Sequence, residues 1–181
     1  MTATGPVSVD LGPGTATGAA GNDTLLGVVG VIGSEFDDTL RGNARSNLLA
    51  GMGGNDTIEG LSQDDWVSGD AGDDKLDGGP GSDWAWYGEA RSAVRINLAQ
   101  GMGTGQGADQ LKLLENVYGS RYADAITGNG ARNTVYAQSG NDRVAGGSGP
   151  DQLDGEKGRD RVDGGAGRDR CMHAERRTRC P

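Results

Sequence analysis

Ten aspartates and two asparagines stand at one phase of a nine-residue period, and side-chain oxygens repeated in this way suit the holding of hard cations. They are Asp38, Asn47, Asp56, Asp65, Asp74 and Asp83 in one run, and Asp124, Asn133, Asp142, Asp151, Asp160 and Asp169 in a second. From Gly33 the chain reads GSEFDDTLR, GNARSNLLA, GMGGNDTIE, GLSQDDWVS, GDAGDDKLD and GGPGSDWAW. From Gly119 it reads GSRYADAIT, GNGARNTVY, AQSGNDRVA, GGSGPDQLD, GEKGRDRVD and GGAGRDRCM. Position 1 is Gly in eleven of the twelve repeats, Ala137 being the exception, and position 4 is Gly in seven. Position 8 is Leu, Ile or Val in ten, with Ala85 and Cys171 closing the two runs.

One such nonapeptide reads as a turn followed by a very short strand. Glycines at the early positions permit positive φ and let carbonyls converge without Cβ clashes. Alternation then turns the position-8 aliphatic inward, with positions 7 and 9 outward. With two nonapeptides per coil, each repeat stacks on the next but one, at a strand spacing of roughly 4.8 Å. The position-6 side chains then form a column along each edge. Carboxylates one strand apart repel by about 1 kcal/mol in water and by more when partly buried, so the columns need cations between their rungs. The donors on offer are carboxylates and backbone carbonyls, with no His or Cys cluster. Flexible, all-oxygen coordination selects Ca2+ over Zn2+ and over the tight octahedron of Mg2+.

Composition agrees that something other than an apolar core must order this chain. It has 35 glycines in 181 residues, 4% aromatics and a net charge of −9. So few large apolar groups point to disorder unless a metal, a disulfide or stacked repeats compensate. Residues 1–158 carry −12 and residues 159–181 carry +3, a balance that argues against nucleic acid as a partner. No apolar run is long enough to span a membrane. No HExxH or GxSxG motif occurs, so a catalytic role is not expected. The N-terminal MTATGPVSVD lacks the basic and apolar regions of a secretory signal. Cys171 and Cys180 read as a local disulfide, formed in an oxidising compartment. His173 has no partner cluster. Trp66 and Trp84, both at position 7 and two repeats apart, are expected to pack under residues 87–118.

A longer period is also present. PVSVDLGPGTATG, from Pro6, resembles AVRINLAQGMGTG, from Ala93, and each precedes six repeats. The organisation expected is a lead-in over 1–32, a first array over 33–86, an inter-array lead-in over 87–118, a second array over 119–172 and a tail over 173–181 that carries the disulfide.

The nonapeptides resemble the GGxGxDxUx repeats of the RTX (hemolysin-type) calcium-binding family. That resemblance implies an all-β fold, a right-handed parallel β-roll (a β-solenoid) stabilised by multiple Ca2+ ions. It also implies a ligand set: the carbonyls of positions 2 and 4 and the position-6 aspartate of one turn face the carbonyls of positions 1 and 3 and the aspartate of the next. Carried onto this sequence, Met52, Gly54 and Asp56 face Gly69, Ala71 and Asp74. Leu61, Gln63 and Asp65 face Gly78, Pro80 and Asp83. In the second array Gln138, Gly140 and Asp142 face Gly155, Lys157 and Asp160, and Gly147, Gly149 and Asp151 face Gly164, Ala166 and Asp169. Asp38, Asp124, Asn47 and Asn133 extend the columns, the two amides with a lower ligand charge. Asp23 and Asp109 are candidates for extra sites at the array entrances, although each precedes the next position-6 residue by less than the two-repeat spacing. The expectation is a secreted, extracellular module that folds at roughly millimolar calcium, with a structural, adhesive or export-folding role. The alternative is the C-terminal module of a larger secreted hydrolase. Calcium is the expected partner, beside a parent-protein domain or surface partner.

Overall fold

The computed structural model describes residues 3–19 and 21–180, and its regular elements are all strands. They belong to two compact units. One comprises Met1–Trp84 with Gly107–Leu114, the other Ala85–Gln106 with Glu115–Pro181. The segment 87–118 is therefore shared between the units.

In the first unit one sheet runs Ala108–Lys112, Lys75–Asp77, Thr57–Glu59, Thr39–Arg41 and Val7–Asp10, all parallel. An antiparallel pair, Thr15–Gly18 and Gly21–Thr24, ends it. The opposing sheet contains Gly30–Ile32, Leu48–Ala50 and Trp66–Ser68. Leu40 registers on Ile58 and Ile58 on Leu76, an offset of two nonapeptides per coil. Leu40, Ile58 and Leu76 from one sheet and Leu49 and Val67 from the other are at most 2% exposed. These position-8 side chains make the core, a single file from each sheet.

The second unit repeats the plan. Arg95–Asn97, Ala125–Thr127, Arg143–Ala145, Arg161–Asp163 and Arg176–Thr178 form one parallel sheet, with Met102–Thr104 antiparallel to the first of them. Asn116–Tyr118, Thr134–Tyr136, Gln152–Asp154 and Arg170–Met172 form the other. Ile96, Ile126, Val144 and Val162 face Val117, Val135 and Leu153 in the interior, all buried. The chain is thus a β-solenoid of parallel stacked coils with two nonapeptides per coil. The VSVDL and VRINL strands serve as the first rungs of the two stacks.

Cys171 and Cys180 form a disulfide, with Cα atoms 5.9 Å apart. It pins the strand Arg176–Thr178, which pairs with Arg161–Asp163. Trp66 and Trp84 stack on each other with ring centroids 4.6 Å apart, and Trp86 stacks on Tyr118 at 4.3 Å.

Candidate metal centres

Parallel stacking carries each position-6 carboxylate to the backbone of the coil before it. Asp56 Oδ1 accepts the N–H of Asp38 at 2.7 Å, and Asp74 Oδ1 that of Asp56 at 2.8 Å. On the other edge Asp65 takes the N–H of Asn47, and Asp83 that of Asp65, both at 2.7 Å. The second array repeats this from Asp124 to Asp142 to Asp160 and from Asn133 to Asp151 to Asp169, at 2.8–3.0 Å. The lead-in strands supply the first donors: Val7 N–H to Asp38 and Val94 N–H to Asp124.

The second carboxylate oxygen divides each array in two. In the first repeats it is satisfied inside the turn. Asp38 Oδ2 accepts the Ser34 N–H at 2.5 Å while Ser34 Oγ donates to Oδ1 at 3.0 Å. Ser120 and Asp124 repeat both bonds, at 2.7 and 2.6 Å. In the second repeats the amide does the same work. Asn47 Oδ1 accepts the Asn43 N–H and its Nδ2 donates to the Val29 carbonyl. Asn133 Oδ1 accepts the Asn129 N–H and its Nδ2 donates to the Glu115 carbonyl at 2.7 Å.

In the last four repeats of each array the same oxygen is an orphan. Oδ2 of Asp56, Asp65, Asp74, Asp83, Asp142, Asp151, Asp160 and Asp169 is buried with no hydrogen-bond partner. Buried polar atoms of this kind are rare and costly. Asp77 Oδ1 and Gln106 Oε1 are further orphans, off the columns.

Backbone conformation draws the same line. Position 2 has positive φ in those same eight repeats: Met52 84°, Leu61 84°, Asp70 65°, Gly79 94°, Gln138 66°, Gly147 102°, Glu156 58° and Gly165 92°. Five of the eight are not glycine, and each costs of order 1 kcal/mol or more in that region. Ser34, Asn43, Ser120 and Asn129, at position 2 of the satisfied turns, are not among the positive-φ residues. Strain and orphaned carboxylates therefore coincide.

Two glycine positions explain why the turns close so tightly. A Cβ on Gly60, at position 1, would collide with Asp65 Oδ2 and with the Gly78 carbonyl of the next coil. Those two oxygens thus flank one point. Gly146 stands in the same relation to Asp151 Oδ2 and the Gly164 carbonyl. At position 4, Gly158 has φ 142° and a Cβ there would run into the Gly140 carbonyl.

Burial dominates the electrostatics. It pushes Asp56 and Asp142 up to about 7 and Asp65 and Asp74 up to about 6, against the N–H bond each accepts. Asp124 and Asp151 are also raised, again chiefly by burial. Neighbouring carboxylates add to this, Asp74 and Asp38 on Asp56, and Asp124 and Asp160 on Asp142. These groups are disfavoured as anions unless positive charge is supplied.

Among the described residues no three His, Cys, Asp or Glu side chains gather on one point. The carboxylates meet only in stacked pairs, so backbone carbonyls must complete any metal shell. Of the carbonyls expected from sequence, those of Met52, Ala71, Gln138, Gly147 and Ala166 each accept one backbone N–H, from Ala71, Gly54, Lys157, Ala166 and Gly149 respectively. A second lone pair remains on each.

The two entrance candidates part company. Asp109 is buried, and its Oδ1 accepts the Asp74 N–H at 3.3 Å, so it prolongs the first array's column at its exit. The corresponding place at the second array's entrance is held by Val94, whose N–H bonds Asp124. Asp23 lies exposed on Gly21–Thr24, registered on Ala16 and away from both columns. The sequence reading also missed Ser34, Asn43, Ser120 and Asn129. Their signal was present, since position 2 reads Ser then Asn at the start of both arrays. Position 5 was missed too: Asp37 Oδ1 accepts the Asn55 N–H and Asn55 Oδ1 that of Asp73, an outer ladder that explains these exposed residues without a metal.

No curated protein matches the chain significantly. The RTX calcium-binding nonapeptide repeat matches four times, at residues 32–67, 51–85, 115–144 and 136–171, together more than half of the chain. With the stacked turns and their paired aspartates, these matches make the chain a member of the RTX calcium-binding nonapeptide repeat family.

Proposed function

We propose that calcium binds between stacked turns of the last four repeats in each array, and that this binding folds the chain. The observation that carries the reading is the set of eight buried, unpartnered Oδ2 atoms on Asp56, Asp65, Asp74, Asp83, Asp142, Asp151, Asp160 and Asp169. Four sites follow, each between two of these carboxylates. Asp56 and Asp74 act with the carbonyls of Met52, Gly54, Gly69 and Ala71. Asp65 and Asp83 act with those of Leu61, Gln63, Gly78 and Pro80. Asp142 and Asp160 act with those of Gln138, Gly140, Gly155 and Lys157. Asp151 and Asp169 act with those of Gly147, Gly149, Gly164 and Ala166. Calcium, when bound, supplies the positive charge that each stacked pair lacks.

Asp38, Asn47, Asp124 and Asn133 are assigned to metal-free cap turns, because Ser34, Asn43, Ser120 and Asn129 already satisfy their oxygens. Asp109 is assigned to the exit of the first column, and Asp23 to none. Four ions would take the net charge from −9 to −1, since −9 + 8 = −1. The core is one file of aliphatics per sheet, too thin to order so many glycines unaided. Binding therefore supplies folding free energy. Extracellular calcium, on the order of millimolar, is the range such modules use. The role is a structural one: a secreted roll that folds outside the cell.

Far-UV circular dichroism during a titration from EGTA to about 10 mM calcium, with magnesium as control, tests this. A cooperative gain of β signal with calcium alone is expected. A chain already folded in EGTA at neutral pH overturns the reading.

A further inference from the structure

The outward faces of the two equivalent sheets handle charge in opposite ways. In the first unit the position-7 row reads Ser8, Thr39, Thr57, Lys75, Gln110 and the position-9 row Asp10, Arg41, Glu59, Asp77, Lys112. Its charges neutralise one another: Arg41 bridges Asp10 and Glu59, each at 3.2 Å, and Lys112 bridges Asp77 at 2.6 Å. In the second unit the position-7 row reads Arg95, Ala125, Arg143, Arg161, Arg176 in strict register, and all four arginines are exposed. None of them has an ion-pair partner among the described residues; Asp163, in the neighbouring position-9 row, is already held by Arg179.

Like charges directly opposite on adjacent strands destabilise a sheet. The buried files of Ile126, Val144 and Val162 fix the register, so the arginines cannot slide apart. Ala125 and Ala145 are small and leave an open groove between Arg143, Arg161 and Arg176. Thr127 and Thr178 line the same groove with hydroxyls. The unit is cationic as a whole, with 13 Lys/Arg against 11 Asp/Glu over 85–106 and 115–181, and the first unit is −11, which leaves the chain at −9. Any metal bound in the second array raises its positive charge further.

We infer that this arginine ladder binds an extended acidic polysaccharide, its carboxylates or sulfates engaged by Arg95, Arg143, Arg161 and Arg176. From Arg95 to Arg176 there are four strand steps, a reach of about 19 Å at the usual strand spacing. Guanidinium forks grip such oxyanions bidentately, and the threonine hydroxyls suit sugar hydroxyls. A nucleic acid fits less well, because the two rows offer no aromatic side chain on which bases would stack. An anionic membrane fits less well, because the face exposes no large apolar group to enter the interface.

The test uses the full chain in about 5 mM calcium and fluorescence anisotropy with labelled heparin and chondroitin sulfate oligosaccharides. Single-stranded DNA and phosphatidylserine vesicles are the comparison ligands. Arg143→Ser with Arg161→Ser should weaken glycan binding about tenfold or more. Arg132→Ser with Arg168→Ser removes the same charge from exposed turn positions of the same unit and should change it by no more than roughly twofold. Arg143→Lys with Arg161→Lys keeps the charge without the fork and should fall between them. Circular dichroism at the same calcium concentration checks that each variant is folded, which separates a failure of the ladder from a failure of calcium-driven folding. Equal loss in the turn variant, no glycan binding, or tighter binding to DNA or vesicles overturns the inference.

Discussion

Asp74 holds Asp56 with one oxygen and leaves the other bare: Oδ1 accepts the Asp56 N–H at 2.8 Å, while Oδ2 is buried without a partner. The hydrogen-bonded oxygen fixes the carboxylate in the column, and the bare one lies beside Gly69 at the start of its own turn. Orientation is thus provided by the backbone, and under the proposed function charge compensation falls to calcium.

Asp74→Asn and Asp38→Asn should therefore separate. The first removes ligand charge and is expected to raise the calcium midpoint of folding about tenfold. The second alters a turn that Ser34 already satisfies and should leave that midpoint nearly unchanged. Calcium titrations followed by circular dichroism distinguish them, and equal shifts would refute the division of the array into cap and ion turns.

Ser34→Ala and Ser120→Ala each delete a hydroxyl bond to a buried carboxylate. A loss of about 1–2 kcal/mol per substitution is expected at saturating calcium, with the number of ions bound unchanged by calorimetry. A reduced ion count would mean that the serine turns take part in binding.

Protons should partly replace calcium. Asp56 and Asp142 titrate near 7 and Asp65 and Asp74 near 6 in the folded chain, against about 3.9 for an unfolded aspartate. The folded state thus binds more protons between roughly pH 4 and 7, so metal-free stability is highest below that window and falls as pH rises through it. In EGTA, β signal should grow as pH drops from about 8 to about 5, and the calcium affinity of the folded chain, read by calorimetry, should weaken over the same range because protons compete for the same oxygens. A metal-free spectrum insensitive to pH would count against the raised carboxylates.

Glycine should be tolerated at position 2 of the strained turns and required at Gly158. Glu156→Gly relieves a φ of 58° and is expected to be neutral or stabilising by up to about 1 kcal/mol. Gly158→Ala combines a φ of 142° with a collision against the Gly140 carbonyl, and a loss of more than about 2 kcal/mol is expected. Denaturant midpoints at fixed calcium report both.

The period of nine made most of this fold legible. Leu40, Ile58 and Leu76 at position 8 announced the buried file, and the aspartates at position 6 announced the columns. The sorting of those aspartates was harder to read, because Asp38 and Asp56 occupy the same phase with the same side chain. What separates them is the backbone at Ser34 and Met52, and a left-handed methionine or leucine runs against ordinary preference. Asp109 was hard to place for a different reason. Its nearness to Asp124 in the sequence pointed forward along the chain, whereas the chain returns to stack it on Asp74, in the array already completed. Where a connecting segment folds back is set by the surface left uncovered, which a local period does not encode.

A parallel stack is open-ended by nature, since its last strand offers the same hydrogen-bonding edge as every strand before it. In the first unit the hairpin of Thr15–Gly18 and Gly21–Thr24 closes that edge by reversing the chain direction. Its outermost strand, Gly-Asn-Asp-Thr, is fully exposed and built of poor strand formers, apart from the threonine. A second molecule seeking to extend this sheet meets the wrong polarity and a hydrated, weakly pairing rim, so the lead-in acts as a chain terminator for the sheet it ends.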